Sequence, residues 1–166
     1  PGGTGKTRLA LQLAAQVADA YADGTWFVPL EPLRDASLVV PTVARTLRVF
    51  PRPGEAAIDG LASAIGEQRM LLVLDNFEHV VEAAGEVAGL LRACPGLQVV
   101  VTSRAALRVS GEQEYAVPGL PTPPDTTRLS RVQLEELPAI DRRPDAASLD
   151  QYEAVRLFVT RAQAVR

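Results

Sequence analysis

Residues 1–7 read Pro-Gly-Gly-Thr-Gly-Lys-Thr and run without a break into an apolar-periodic stretch. That junction constrains the fold more than any other feature. Gly2, Gly3 and Gly5 let the backbone enter φ/ψ regions that other residues avoid. Such a loop can turn several N–H groups toward one anion, and the helix behind it adds the positive end of its dipole. Lys6 is placed to reach the outer phosphates of a nucleotide, and the Thr7 hydroxyl to ligate Mg²⁺. The spacing is that of G-x-x-x-x-G-K-[ST] without its first glycine. Counted back from Gly5, that glycine would fall one place before Pro1, so the chain is expected to be a fragment that starts inside the motif. Thr4, within the loop, and Arg8, just after it, complete the candidate phosphate-contacting set. Arg8, like Arg108, also suits a solvated face.

Lys6 is the only lysine among 17 Lys and Arg residues. A chain that uses arginine for every other cation keeps one compact ammonium where a phosphate needs a point charge. The competing interpretation is a glycine-rich turn that only caps a helix.

The chain has 166 residues, 47% of them hydrophobic and 22% charged, which suits one globular domain with a real core. A net charge of −3 argues against direct nucleic-acid binding by this piece. One Cys excludes a disulfide framework, and one His excludes a multi-His metal site. No apolar run approaches about 20 residues, so no membrane contact is expected and the location is expected to be cytoplasmic.

Along the chain, residues 6–20 read as a helix with Leu9, Leu13, Val17 and Ala20 on its apolar face. Residues 25–30 form a short strand, with Pro29 and Pro32 marking its exit. Ser37 is the expected N-cap of a helix reaching residue 48, and residues 55–68 form the next helix. Met70 to Leu74 is a continuous apolar run closed by Asp75, the pattern of a parallel strand covered on both faces. A helix over 80–93 and a second buried strand over 97–101 follow. Then come a helical turn over 105–109 and a last strand over 114–117. Six of the 13 prolines lie between Pro118 and Pro144, so residues 121–148 read as an exposed linker with one helical turn at 132–137. Residues 149–166 read as an amphipathic helix, with Tyr152, Val155, Leu157, Phe158 and Val159 on one side, that opens a following helical domain.

Alternation of strands and helices predicts an α/β fold with a parallel sheet, whose ligands sit at the C-terminal strand ends. The candidate polar residues lie at such ends. Asp75 can hold the Mg²⁺ that Thr7 holds from the other side, or it can cap the next turn. Asn76 follows it, and an amide cannot accept a proton from water. Glu78 and His79 are the groups in the same turn that could. Glu78 also suits a first-turn acid and His79 a surface residue. Arg104, after the strand LQVVVTS, opposes the dipole of the turn it opens. A contact with the γ-phosphate explains it better, although it could also lie along the sheet rim.

The segments PGGTGKTRLA, TWFVPLEPLRDASLV, LLVLDNFEHV, CPGLQVVVTSRAALRVSGEQEYAVPGLP and EAVRLFVTRA resemble, in order, the nucleotide-binding domain of bacterial signal-transduction ATPases of the NB-ARC/STAND type. The likeness is greatest to large LuxR-like and antibiotic-pathway regulators. It implies a P-loop NTPase three-layer sandwich whose first strand is missing from this piece. That strand would lie between those at 97–101 and 114–117, and its absence would leave apolar strand edges unpaired. By resemblance, Gly5, Lys6 and Thr7 bind the phosphates and Mg²⁺, Asp75 is the second metal-site acid, and Arg104 is the sensor arginine.

The resemblance further implies ATP and ADP as cofactors and a slow ATPase used as a switch. It implies intramolecular effector and sensor domains as partners, and ATP-dependent self-association. The corresponding division is a nucleotide-binding domain at 1–120, a linker at 121–148 and a helical start at 149–166. An ATP-driven motor or small-molecule kinase, and a scaffold with a decayed site, are the alternatives.

Overall fold

Three strands form one parallel sheet in the spatial order β1 (Thr25–Pro29), β2 (Met70–Asp75), β3 (Leu97–Val101). The computed structural model that shows this describes residues 4–119, 121, 149 and 151–163. These fall into two units, Pro1–Val117 and Pro118–Arg166. All the strands among the described residues belong to the first.

Every residue of β2 is buried, because it pairs on both sides: Thr25 opposite Leu71 through Pro29 opposite Asp75, and Met70 opposite Leu97 through Leu74 opposite Val101. Its side chains alternate between two cores. Met70, Leu72 and Leu74 join a large core with α2 (Val39–Thr46), α3 (Ala57–Ile65) and α4 (Ala84–Ala93). Leu71 and Val73 face α1 (Lys6–Val17) on the other side. The result is the expected α/β arrangement of helices on both faces of a parallel sheet. It explains why the strand reads as unbroken apolar sequence rather than as alternation. Pro29 is tolerated because β1 is an edge strand. The next N–H, of Leu30, bonds to the Asp75 carbonyl, so the missing donor of Pro29 lies on the outer side.

Several expectations shift. The buried stripe of α1 is Ala10 and Ala14, with Val17 and Tyr21 beside it, whereas Leu9 and Leu13 are 46% and 43% exposed. Two alanines let the helix approach β2 closely, and that rotates the leucines to its flanks. The second helix is capped by Asp35 rather than Ser37. The Asp35 carboxylate accepts from the Ser37 N–H at 2.9 Å and from its hydroxyl at 2.7 Å, and a 3₁₀ turn Ala36–Leu38 leads into α2. The helix expected over 80–93 begins as two 3₁₀ turns, Phe77–His79 and Val81–Ala83, before α4.

The strand at 97–101 is present, but Val99, Val100 and Val101 are half-buried rather than buried. Its second edge has no strand partner among the described residues. For the same reason 114–117 forms no strand, having no ladder to join. Residues 105–109 do not form a helical turn either. The Glu112 carboxylate takes the N–H groups of Leu107 and Arg108 at 2.8 and 2.7 Å, and Arg108 adopts a left-handed φ of 57°. A side-chain acceptor has displaced the backbone acceptors a helix would use.

In the second unit, α5 (Glu153–Gln163) confirms a helix within 149–166. Val155 is half-buried, but Leu157 and Val159 are exposed, so these two do not share one covered face with it. The turn expected at 132–137 lies outside the described residues. No described helix is long and apolar enough to cross a membrane.

Candidate functional site

The candidate residues collect where β2 and β3 end and α1 begins. Gly5 is the N-cap of α1, with φ 82°, a left-handed value that favours glycine. The Gly5 carbonyl accepts the Leu9 N–H at 2.9 Å and so starts the helix. No side chain caps α1, and its first turn carries no acid. The helix's own first turn therefore supplies nothing to complement the positive end of its dipole. Lys6 Nζ donates to Thr4 Oγ1 at 3.3 Å. Arg8 is exposed on the helix. Gly2 and Gly3 lie outside the described residues.

Thr7 sits one turn into the site, and its hydroxyl donates to Asp75 Oδ1 at 2.7 Å. Asp75 is only 6% exposed. The same oxygen accepts from the Thr102 hydroxyl at 2.5 Å, and Thr102 Oγ1 accepts the Asn76 N–H at 3.0 Å. Asp75 therefore does not cap the following turn. Asn76 opens that turn in a left-handed conformation, φ 63°, which asparagine tolerates better than most residues. The Phe77 N–H bonds to the Thr102 carbonyl, and the Phe77 ring is fully buried. Thr102 thus ties the end of β3 to both the carboxylate and the turn behind it.

A hydroxyl and a single carboxylate in contact suit Mg²⁺ held mainly by water and phosphate oxygens, which needs few protein ligands. Thr7 would be the direct ligand and Asp75 the acid behind it. Among the described residues no cluster of three or more His, Cys, Asp or Glu could hold a metal by itself.

Arg104 follows β3 on a bend in which the Ser103 hydroxyl accepts the Ala105 N–H at 3.1 Å. Its Nε donates to Glu78 Oε1 at 2.7 Å, with the Arg104 side chain half exposed and that of Glu78 12% exposed. Burial acts to raise the Glu78 pKa. Hydrogen bonds from its own N–H and from Arg104, with the positive charges of Arg104 and His79, outweigh that and hold it below the usual glutamate value. His79 is exposed. Lys6 and Arg104 line the same partly open cavity, of about 650 Å³, which runs along β3 past Val99 and Val101 and is also lined by residues 112–117.

No protein-family model matches the chain. It is 41% identical over 138 residues to a Mycobacterium tuberculosis protein named "Putative HTH-type transcriptional regulator", and the match covers 80% of this chain. A second protein of that organism, named "Uncharacterized protein", is 39% identical over 130 residues, 78% of this chain. The chain spans 15% of the length of the first and 33% of the second. Among solved structures, it is similar to the Aeropyrum pernix ORC2 protein in ADPNP–ADP complexes. The identity is 21% and the TM-score 0.47, over 61% of this chain and 32% of that one. The ADP form of the same protein gives 20% identity and a TM-score of 0.45.

The sequence-predicted residues that come together are thus Thr4, Gly5, Lys6, Thr7 and Asp75, with Glu78 and Arg104 paired at the same sheet end. Sequence reasoning gave Thr102 no role. Its position directly after an apolar strand was the available signal, because a hydroxyl there can reach the neighbouring strand tip.

Proposed function

We propose that this chain is the ATP- and ADP-binding switch module of a longer transcriptional or signalling regulator, with slow hydrolysis. The observation that carries the reading is the Thr7–Asp75 hydrogen bond at the uncapped N-terminus of α1, beside a cavity that Lys6 and Arg104 both line. In this reading Gly2, Gly3, Thr4 and Gly5 wrap the phosphates and Lys6 contacts the outer ones, with Arg8 at the edge of the set. Thr7 and Asp75 hold Mg²⁺, which neutralises phosphate charge when bound. Arg104 contacts the γ-phosphate and so separates ATP from ADP.

Slow turnover follows from the turn after β2. Asn76 cannot act as a base, and the Glu78 carboxylate is engaged by Arg104. The bound nucleotide then acts as a state rather than as fuel. Residues 1–120 form the nucleotide-binding domain of this scheme, 121–148 the linker, and 149–166 the start of a helical domain. The effector and sensor domains are partners within the same protein, and ATP promotes self-association. The naming of the 41%-identical relative as a transcriptional regulator supports the regulatory half of the reading.

Titration of ATP and ADP against the intact protein tests it, with Lys6→Ala as control. Lys6-dependent binding with turnover well below about 10 per second is expected. Binding that ignores Lys6→Ala, or no binding, favours the scaffold. Turnover at or above that rate favours the motor.

A further inference from the structure

Arg104 and Glu78 arrive at their contact from different strands with unequal freedom. Glu78 stands on the 3₁₀ turn Phe77–His79, which is pinned by the buried Phe77 ring and by two hydrogen bonds to Thr102. Its side chain is 12% exposed, whereas that of Arg104 is 51% exposed. The carboxylate is the fixed partner and the guanidinium the outgoing one. The contact also uses one particular nitrogen, Nε. A guanidinium has five N–H donors, so engagement at Nε leaves the four on the terminal nitrogens to face an incoming group. Arg104 and Lys6 are among the residues lining one cavity, which puts those donors on the same side of the fold as the Lys6 ammonium.

We propose that Glu78 is the positioning residue for Arg104 and thereby sets how strongly the site prefers a nucleoside triphosphate to a diphosphate. This rests on the nucleotide-switch reading above. An arginine side chain has several rotatable bonds, and an unheld guanidinium must be ordered each time a phosphate arrives. A carboxylate on Nε fixes its plane beforehand, so less freedom is lost when the terminal nitrogens meet the γ-phosphate. A diphosphate offers nothing at that position and gains nothing from the ordering. The Glu78 carboxylate is spent on orientation rather than on taking a proton from water.

The test is the affinity of the intact protein for ADP and for the non-hydrolysable analogue ADPNP, in wild type and in Glu78→Ala, Glu78→Asp, Glu78→Gln, Arg104→Ala and the Glu78→Ala/Arg104→Ala double variant. Glu78→Ala is expected to weaken ADPNP about tenfold and ADP less than about twofold, because only the triphosphate reaches the oriented donors. Glu78→Gln keeps an acceptor for Nε and should recover most of the preference. Glu78→Asp keeps the charge but shortens the arm and should lose at least about threefold of it. Glu78→Asp carries the test if thermal melting shows that the alanine variant is unfolded. Adding Glu78→Ala to Arg104→Ala should change nothing further. The proposal is overturned if the preference survives both Glu78→Ala and Glu78→Asp while Arg104→Ala abolishes it. It is also overturned if both nucleotides weaken equally, or if the two alanine effects add. Wild type that binds neither nucleotide sinks the switch reading itself, and this inference with it.

Discussion

Thr7 and Asp75 stand 68 positions apart in sequence, and the Thr7 hydroxyl donates a 2.7 Å hydrogen bond to the Asp75 carboxylate. One residue opens a helix and the other ends the central strand. Their contact fixes the start of α1 over the tip of β2, and it sets a hydroxyl against a buried acid one residue on from Lys6, which lines the same cavity as Arg104. Thr102 makes the same carboxylate oxygen a shared acceptor.

Thr102→Val should therefore cost more than Thr7→Val. Valine nearly matches threonine in shape, so packing at this buried position is kept. What goes is a hydrogen bond to a charged group, together with the acceptor for the Asn76 N–H. The expected loss is about 1.5–3 kcal/mol of stability. Thr7 is only partly buried, so water can replace its hydroxyl and the loss there should stay under about 1 kcal/mol. Urea midpoints at unchanged slope measure both. Equal losses would mean that Thr102 is not the tie between the strand ends.

Gly96 and Gly89 make an opposed pair. A Cβ on Gly96 would fall on the carbonyl of Gln68, in backbone that cannot swing aside. Gly96→Ala should destabilise by about 1–3 kcal/mol. Gly89 lies inside α4, where a Cβ would meet only the end of the Arg92 side chain at 3.8 Å. Gly89→Ala should stabilise by about 0.5–1 kcal/mol, since alanine holds a helix better than glycine. Thermal melting of the two variants beside wild type checks both signs.

Some of these features are written locally in the sequence, and others arise only where distant segments meet. MLLVLD announced a strand buried on both faces, and the unbroken passage from PGGTGKT into a periodic stretch announced the helix that starts the site. Both are local signals, carried by periodicity and composition. The facing of α1 was not legible, because Leu9 and Leu13 suit a buried stripe as well as Ala10 and Ala14 do; the closeness of β2 decides between them. The absence of a helix at 105–109 depends on the Glu112 carboxylate, and the absence of a strand at 114–117 depends on what lies beside β3. In the site, Asp75 and Arg104 stood out as polar residues ending apolar runs. The Thr102 tie and the Glu78–Arg104 pair join different strands, and no spacing within one segment encodes them.

Cys94 offers an internal probe of opening. It is fully buried, and its Sγ lies 3.6 Å from the Ala62 carbonyl. Burial pushes its thiol pKa up, against a smaller opposing effect of a backbone hydrogen bond at Gly66. A protonated, enclosed thiol is a poor nucleophile. Labelling with a soluble disulfide reagent should be roughly a hundredfold or more slower in buffer than in denaturant, and its rate should rise with urea as the fold opens. Fast labelling in buffer alone would mean that the α3–α4 region opens separately.

The Glu78–Arg104 pair gives the fold a defined response to acid. The Glu78 carboxyl titrates below its ordinary value in the folded chain. Between the folded and unfolded values the unfolded state binds more protons, so stability rises with pH there. The contribution of Glu78 is fully present above the unfolded value, near pH 4.3, and is lost as pH falls through the folded one. Urea unfolding of wild type and Glu78→Gln between pH 7 and pH 3 should show a gap at neutral pH that closes on the acid side. Arg104→Met supplies the complementary sign. With the guanidinium gone, burial is left as the largest influence on Glu78, and it acts to raise the pKa. The acid-induced loss in Arg104→Met should then begin at higher pH than in wild type. An onset that does not move would mean that Arg104 is not what keeps Glu78 ionised.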